Sequence, residues 1–448
     1  MKNAHAIKLH VFSEDMVVPG SKHENKPRMR DRFWLPLDNA AKIFPAIITR
    51  EVTTVIRLSA IMKQPVNLKA FQRAVLLAEK RFPYYRVQLR RGFFWYYLEH
   101  LPQHIPIEPD DDRACKKFPG GGMLLRFLIL NNRISLEVSH ILTDGAGAFE
   151  LLKTVLVLYS KECGVNISED VPYKKPDETI PGYEYEDAYK RYFKEDLPPM
   201  VKKSKAFHVP FSLASRPRFR HQTALLSMNQ IKEAAKEKGV SITIYLVAVY
   251  LHTLQEIYHE TSTLKRMKMH KQIRVQVPVN LRNIFPSKTM RNFSLFVMPE
   301  IDLRLGEYTF DEILKTTYHQ MQLETEKKLI NKNISRNVGS ERKIYVRSIP
   351  LFLKSLILKW KHKSLGTSQY SGVVTNLGKA RLPSETEAII DRFILTAPPP
   401  NKMLKISCAV IGFHDKLALD FGNITTSDEF ERKFLDFLRS QNIQAEME

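Results

Sequence analysis

At 448 residues the chain exceeds what one ordinary hydrophobic core organises, so two core-bearing units are expected. Hydrophobic residues make up 44% and charged residues 26%, the balance of a globular protein, and no apolar run reaches the roughly 18 residues that cross a bilayer. Lys and Arg number 69 against 48 Asp and Glu, a net charge of +21 that favours an anionic partner without naming it.

The opening stretch, MKNAHAIKLHVFSEDMVV, breaks its apolar residues with charges and histidines. It therefore lacks a secretory core, and a cytoplasmic location is expected. In the first half, AFQRAVLLAEKRFP has helical spacing, with Phe71, Val75, Leu76 and Ala78 on one side and Pro83 as its stop. YYRVQLRRGFFWYYLE follows as strand, turn and strand. MLLRFLIL and RISLEVSH then form a hairpin around Asn131-Asn132, because Asn tolerates positive φ. Ile134, Leu136, Val138 and His140 share one face of the second strand. After Gly145 the spacing of Phe149, Leu152, Val155, Leu156 and Tyr159 becomes helical, with Asp144 in the N-cap position.

From about 166 to 210 the chain is rich in proline, acid and tyrosine, which suits a connector over the surface. The second half repeats the alternation. A helix broken at Gly239 is followed by an apolar helix capped by Ser241. QIRVQVPVNL alternates with period two, LKISCAVIGFHDKLALDF reads as a hairpin, and the last helix carries Phe430, Phe434, Phe437 and Leu438 on one stripe. The expected class is α/β, with an N-terminal unit at 1–165, a connector at 166–210 and a C-terminal unit at 211–448. Basic clusters fall at 216–221, 264–274 and 342–363, and each reads first as a solvated face. In the last of these, Ile349 to Lys363 fits a core helix after Pro350 with lysines at its wet end. A basic amphipathic helix on an anionic membrane is the alternative, and the core helix is preferred. Cys115, Cys163 and Cys408 lie far apart and suggest neither a disulfide framework nor a zinc site.

The stretch that carries chemistry is EVSHILTDGAG, Glu137 to Gly147. It places a histidine at the end of a strand's apolar face, a capping aspartate four residues on, and two glycines that admit a close approach. A packed core histidine and a plain N-cap would explain the same residues one at a time. No Gly-x-Ser-x-Gly elbow, His-Glu-x-x-His site or phosphate-binding Gly-Lys-Ser/Thr loop competes with it, and Glu150 spoils the dinucleotide-like DGAGAFE.

SHILTDGAG resembles the His-x-x-x-Asp-Gly motif of the superfamily holding chloramphenicol acetyltransferase, plant BAHD acyltransferases, peptide-synthetase condensation domains and bacterial alcohol O-acetyltransferases. RDRFWLPLDNAAKIFP, RFPYYRVQL, KGVSITIYLVAVYL, VPVNLRNIF, SGVVTNLG and LALDFG are similar to further blocks of the alcohol-acetyltransferase branch, in order along most of the chain. The resemblance implies two chloramphenicol-acetyltransferase-like lobes, each a mixed sheet with flanking helices, and a tunnel between them. It implies acyl-CoA as co-substrate and an alcohol-type acceptor, with no metal, redox cofactor or nucleic acid. His140 would be the general base and Asp144 a structural aspartate paired with Arg282. Gly145 would leave room for the pantetheine arm, and Thr375 and Asn376 are the candidates for the oxyanion donor. Ser139 replaces the first histidine of the condensation-domain pair, and Asp420-Phe421-Gly422 lacks the Trp-Gly that follows in BAHD enzymes. An acidic acyl carrier protein in place of CoA, or a non-catalytic protein on an anionic surface, remains the alternative.

Overall fold

The computed structural model describes residues 33–448, apart from 169, 196 and 199–202. The opening stretch judged for a secretory core, the first residues of RDRFWLPLDNAAKIFP and Pro199 of the connector lie outside the described residues. Among the described residues no single helix is long and apolar enough to cross a membrane.

Two large sheets organise the chain. The first has the order Ile390–Thr396, Val55–Met62, Arg133–Ser139, Leu125–Leu130, Ile107–Pro109. The second has eight strands built around Ile406–Phe413 and Lys416–Asn423, with Gly372–Lys379 running parallel to Ile406–Phe413. A small sheet of Trp34–Pro36, Tyr96–His100 and Val87–Arg91 stands apart. The fold is thus mixed α/β and two-lobed.

The expected division at 211–448 does not coincide with the division between sheets. Ile390–Thr396, far along the chain, pairs antiparallel with Val55–Met62 and closes the edge of the N-terminal sheet. Phe393 and Leu395 are buried in the N-terminal core, and the Phe393 ring also meets Phe413 of the second sheet, with centroids 5.1 Å apart.

Local chemistry sets the elements that carry the site. Asn131 takes φ 51° at the hairpin tip, the left-handed conformation its side chain tolerates. In the helix Leu68–Arg81, capped by the Asn67 side chain, Ala70, Phe71, Ala74, Val75 and Ala78 are buried. Leu76, expected inward, is exposed: one residue past Val75 turns it about 100° away from that stripe. The helix Gly145–Glu162 packs on Leu68–Arg81 and is buried nearly all round from Leu151 to Ser160.

Both faces of Arg133–Ser139 are buried, and the second face is buried by charge. Glu137 accepts from Arg57 Nη2 at 2.8 Å and from Arg126 Nη2 at 2.6 Å, while Arg57 Nη1 reaches Asp110 at 3.0 Å. Each carboxylate is met by guanidinium donors, which makes such burial tolerable. This network ties the strand Arg133–Ser139, which leads into His140, to its neighbours.

The helix Leu351–Leu365 reverses the expectation for Ile349 to Lys363. Lys354, expected at the wet end, is buried, whereas Phe352, Leu356 and Trp360 are 57, 61 and 66% exposed. Lys354 finds a partner inside: its ammonium donates to the Phe94 carbonyl at 2.9 Å and lies 3.6 Å from the centre of the Trp95 ring. One lysine thus shares the inner face with the buried Leu351, and Phe352, Leu356 and Trp360 are left outside.

Candidate active site

The strand Arg133–Ser139 delivers His140 and the helix Gly145–Glu162 begins immediately after Asp144, so five residues of turn hold the motif. Its backbone is anchored on both sides. The His140 N–H donates to the Thr54 carbonyl at 2.9 Å, and the His140 carbonyl accepts from the Asn292 amide at 2.9 Å. The His140 ring is half-buried and stacks on Phe44, with centroids 5.5 Å apart. Burial lowers its pKa below the usual imidazole value, against the opposing pull of the Asp144 charge and of contacts with Asn292 and Thr143. The ring is therefore held in the neutral form that can accept a proton.

Asp144 is fixed in the opposite state. Its Oδ1 accepts from the Gly147 N–H at 3.1 Å, the N-cap bond expected of it. Its Oδ2 accepts from Arg282 Nη1 at 2.9 Å and from the Phe293 N–H at 2.8 Å. Burial alone would raise the carboxyl, but the Arg282 charge and these three donors carry it below the ordinary aspartate value. The structure thus brings Asp144 and Arg282 together across 138 residues of chain.

Arg282 does more than balance that charge. Nε donates to the Thr289 carbonyl at 2.9 Å, and Nη2 donates to the Arg291 carbonyl at 2.6 Å. One guanidinium therefore holds the loop from 281 to 293 against the motif turn. The Tyr85 and Thr143 hydroxyls converge on the Met290 carbonyl in the same loop, and the Met290 N–H donates to Glu184. The turn is a joint between lobes, and its polar groups are matched.

The two glycines behave differently. A Cβ on Gly147 would collide with Thr143 Oγ1, the Met290 carbonyl and the Tyr85 hydroxyl. A Cβ on Gly145 would meet only Leu377 Cδ1, at 3.4 Å. Gly147 is thus the glycine that lets the inter-lobe loop close, while Gly145 borders open space.

Thr375 and Asn376 lie on Gly372–Lys379 and point to opposite faces by strand alternation. The Asn376 amide donates to Thr243 at 3.0 Å and its side-chain oxygen accepts from the Gly378 N–H at 2.8 Å, so its polar groups serve its own lobe. Thr375 shares parity with Leu377, the residue that faces Gly145. Asp420-Phe421-Gly422 is embedded in Lys416–Asn423: Asp420 accepts from Thr223 at 2.9 Å and lies 3.1 Å from His221 Nδ1, and Phe421 is core. It is an architectural segment of the second lobe.

Beside the turn lies a cavity of about 350 Å³ whose walls include Gly147, Glu150, Arg282, Lys288, Leu377 and Lys379. His140 is not among its lining residues. Lys174, Arg282, Lys288 and Lys379 line the cavity against one acidic residue, Glu150, so its wall carries net positive charge.

Sequence reasoning missed Asp38, Phe44, Tyr85 and Asn292. The Asn292 amide joins the His140 carbonyl to Asp38 Oδ2, at 2.9 and 3.0 Å. These partners lie 152 and 254 residues away, and nothing within one sequence marks pairs of that separation.

Comparison with solved structures places this arrangement in a known fold. Polyketide synthase associated protein 5 from Mycobacterium tuberculosis aligns over 90% of this chain and 97% of its own, with TM-score 0.56 and 12% identity. The trichothecene 15-O-acetyltransferase of Fusarium sporotrichioides aligns over 92 and 94%, with TM-score 0.57 and 11% identity. The starter condensation domain of rhizomide synthetase aligns over 91 and 96%, with TM-score 0.52 and 13% identity. No protein-family model and no curated protein sequence matches the chain. The chain shares the two-lobed fold of these solved structures, which include an acetyltransferase and a condensation domain.

Proposed function

We propose that the protein is an acyltransferase that moves an acyl group from a CoA thioester to a hydroxyl acceptor, with His140 as general base. The carrying observation is a neutral, half-buried imidazole at a strand end, beside an aspartate held charged by Arg282. Neutral imidazole removes the acceptor's proton as its oxygen attacks the thioester carbonyl. The C–S bond then breaks, and the departing thiolate takes the proton back. Acyl and proton are both accounted for, and no covalent enzyme intermediate is needed. Asp144 supports the turn and is not the base, because its carboxylate is already engaged by three donors.

The cavity beside the turn supports a phosphorylated donor, since Lys288 and Lys379 give its wall an excess of positive charge over Glu150. CoA and a carrier-protein arm share that chemistry. Thiol release from acyl-CoA, compared with release from an acyl carrier protein, separates them.

The decisive variant is His140→Ala. Its backbone bonds to Thr54 and Asn292 survive the substitution, so the turn should keep its shape. Loss of a general base costs about 10²–10⁴-fold, so turnover should fall by that factor while donor binding is retained. Near-normal turnover in the folded variant would overturn the assignment.

A further inference from the structure

The helix Leu351–Leu365 and the tip of the hairpin between Val87–Arg91 and Tyr96–His100 form one exposed apolar surface. Phe93 is 73% exposed, and Phe94 beside it is also exposed. The helix adds Phe352, Leu356 and Trp360 at four-residue intervals on one side. The two parts are tied together, because the Leu351 N–H donates to the Phe93 carbonyl at 2.9 Å and the Lys354 ammonium to Phe94. An apolar patch of this kind marks an interaction surface, not ordinary exposure.

Charge identifies the occupant. Between Glu341 and Glu385 the sequence contains no acidic residue, while Lys343, Arg347, Lys359, Lys361 and Lys363 are exposed around the apolar face. A second copy joined by two-fold symmetry would set the same lysines against each other. A bilayer carrying anionic headgroups meets both features at once: acyl chains receive the aromatic and aliphatic side chains, and phosphates receive the ammonium groups.

We propose that this face docks the protein on the surface of an anionic phospholipid bilayer. The helix also packs on Phe44–Ile47, whose Phe44 ring stacks on His140, so the docked face adjoins the candidate site. A lipid-borne acceptor would use that path, and this last step alone rests on the acyl-transfer reading. Lys354 takes no part in headgroup contact, because its ammonium is occupied inside the protein.

The test is cosedimentation of the full chain with phosphatidylcholine vesicles, with and without phosphatidylserine, at low and high salt. Wild type should pellet with anionic vesicles at low salt and be released by salt. Each lysine near the surface contributes about five-fold, so Lys359→Gln, Lys361→Gln and Lys363→Gln combined should weaken binding by about 10²-fold. Phe352→Ser and Leu356→Ser combined should also lose binding, with thermal unfolding little changed because both are exposed. His140→Ala should bind as wild type does, so a failure of catalysis leaves this result standing. Wild type in the supernatant at low salt, serine variants that still bind, or self-association through the patch without vesicle binding would each overturn the proposal.

Discussion

The end of the strand Arg133–Ser139 and the start of the helix Gly145–Glu162 are one turn apart, yet burial acts on them with opposite results. Low dielectric disfavours charge at both. At the strand end His140 has no ion-pair partner strong enough to offset it, and the ring is pushed toward neutrality. At the helix start, Arg282 and the N–H groups of Gly147 and Phe293 more than offset it, and Asp144 stays ionised. The fold thus places a permanent charge and an uncharged titratable ring four residues apart. The deeper of the two groups is the one that stays charged, so partners decide the difference.

That comparison is broken most severely at the charged end. Asp144→Ala leaves the largely buried Arg282 without its carboxylate and strips two N–H groups of their acceptor. Removing one member of such a pair costs about 3–5 kcal/mol, so Asp144→Ala and Arg282→Ala should each lower Tm markedly. In a double-mutant cycle the two losses should be strongly non-additive, since either substitution removes the same contact. Additive losses would mean the pair contributes nothing jointly.

The next effect separates the glycines. Gly147→Ala forces a methyl group against Thr143, Met290 and Tyr85, and such overpacking costs about 1–3 kcal/mol. Gly145→Ala meets one flexible leucine methyl and should leave Tm near that of wild type. If Gly145 leaves room for the donor arm, its alanine variant should raise KM for the thioester with little change in stability. A Gly145→Ala protein that melts like Gly147→Ala would show that both glycines serve packing alone.

Much of this turn was legible in the sequence because it is local. The period-two pattern of Arg133–Ser139, the N-cap at Asp144 and the helical spacing after Gly145 all follow from residues within twenty positions of one another. The partnership with Arg282 came through resemblance, since no spacing rule joins residues 138 apart. Other features were hidden for definite reasons. Ile390–Thr396 carries no sign of which sheet it will join, because buried strands of either lobe look alike. The expectation for Ile349 to Lys363 fails because the spacing of apolar and basic residues does not say which face of a helix the protein covers. Lys354 lies inside with Leu351, held by a carbonyl and an aromatic ring, while Phe352, Leu356 and Trp360 face outward.

The smallest expected effect is the most informative about the neutral end. A neutral imidazole base is fully competent above its pKa and loses competence as pH falls through it. Burial holds His140 below the ordinary value of about 6.5, so kcat/KM should be flat at pH 7 and its acid limb should lie below 6.5. The Asp144 charge pulls that pKa partway back up. Asp144→Asn keeps an oxygen for the Gly147 N–H but removes the charge, so protonated His140 loses a stabilising partner. The acid limb should therefore move to still lower pH in Asp144→Asn, even though its rate and stability fall. The profiles are to be measured below the variant's melting temperature, with a soluble alcohol as acceptor. A wild-type limb above 6.5, or an upward shift in Asp144→Asn, would mean that the titrating group is not a buried imidazole facing Asp144.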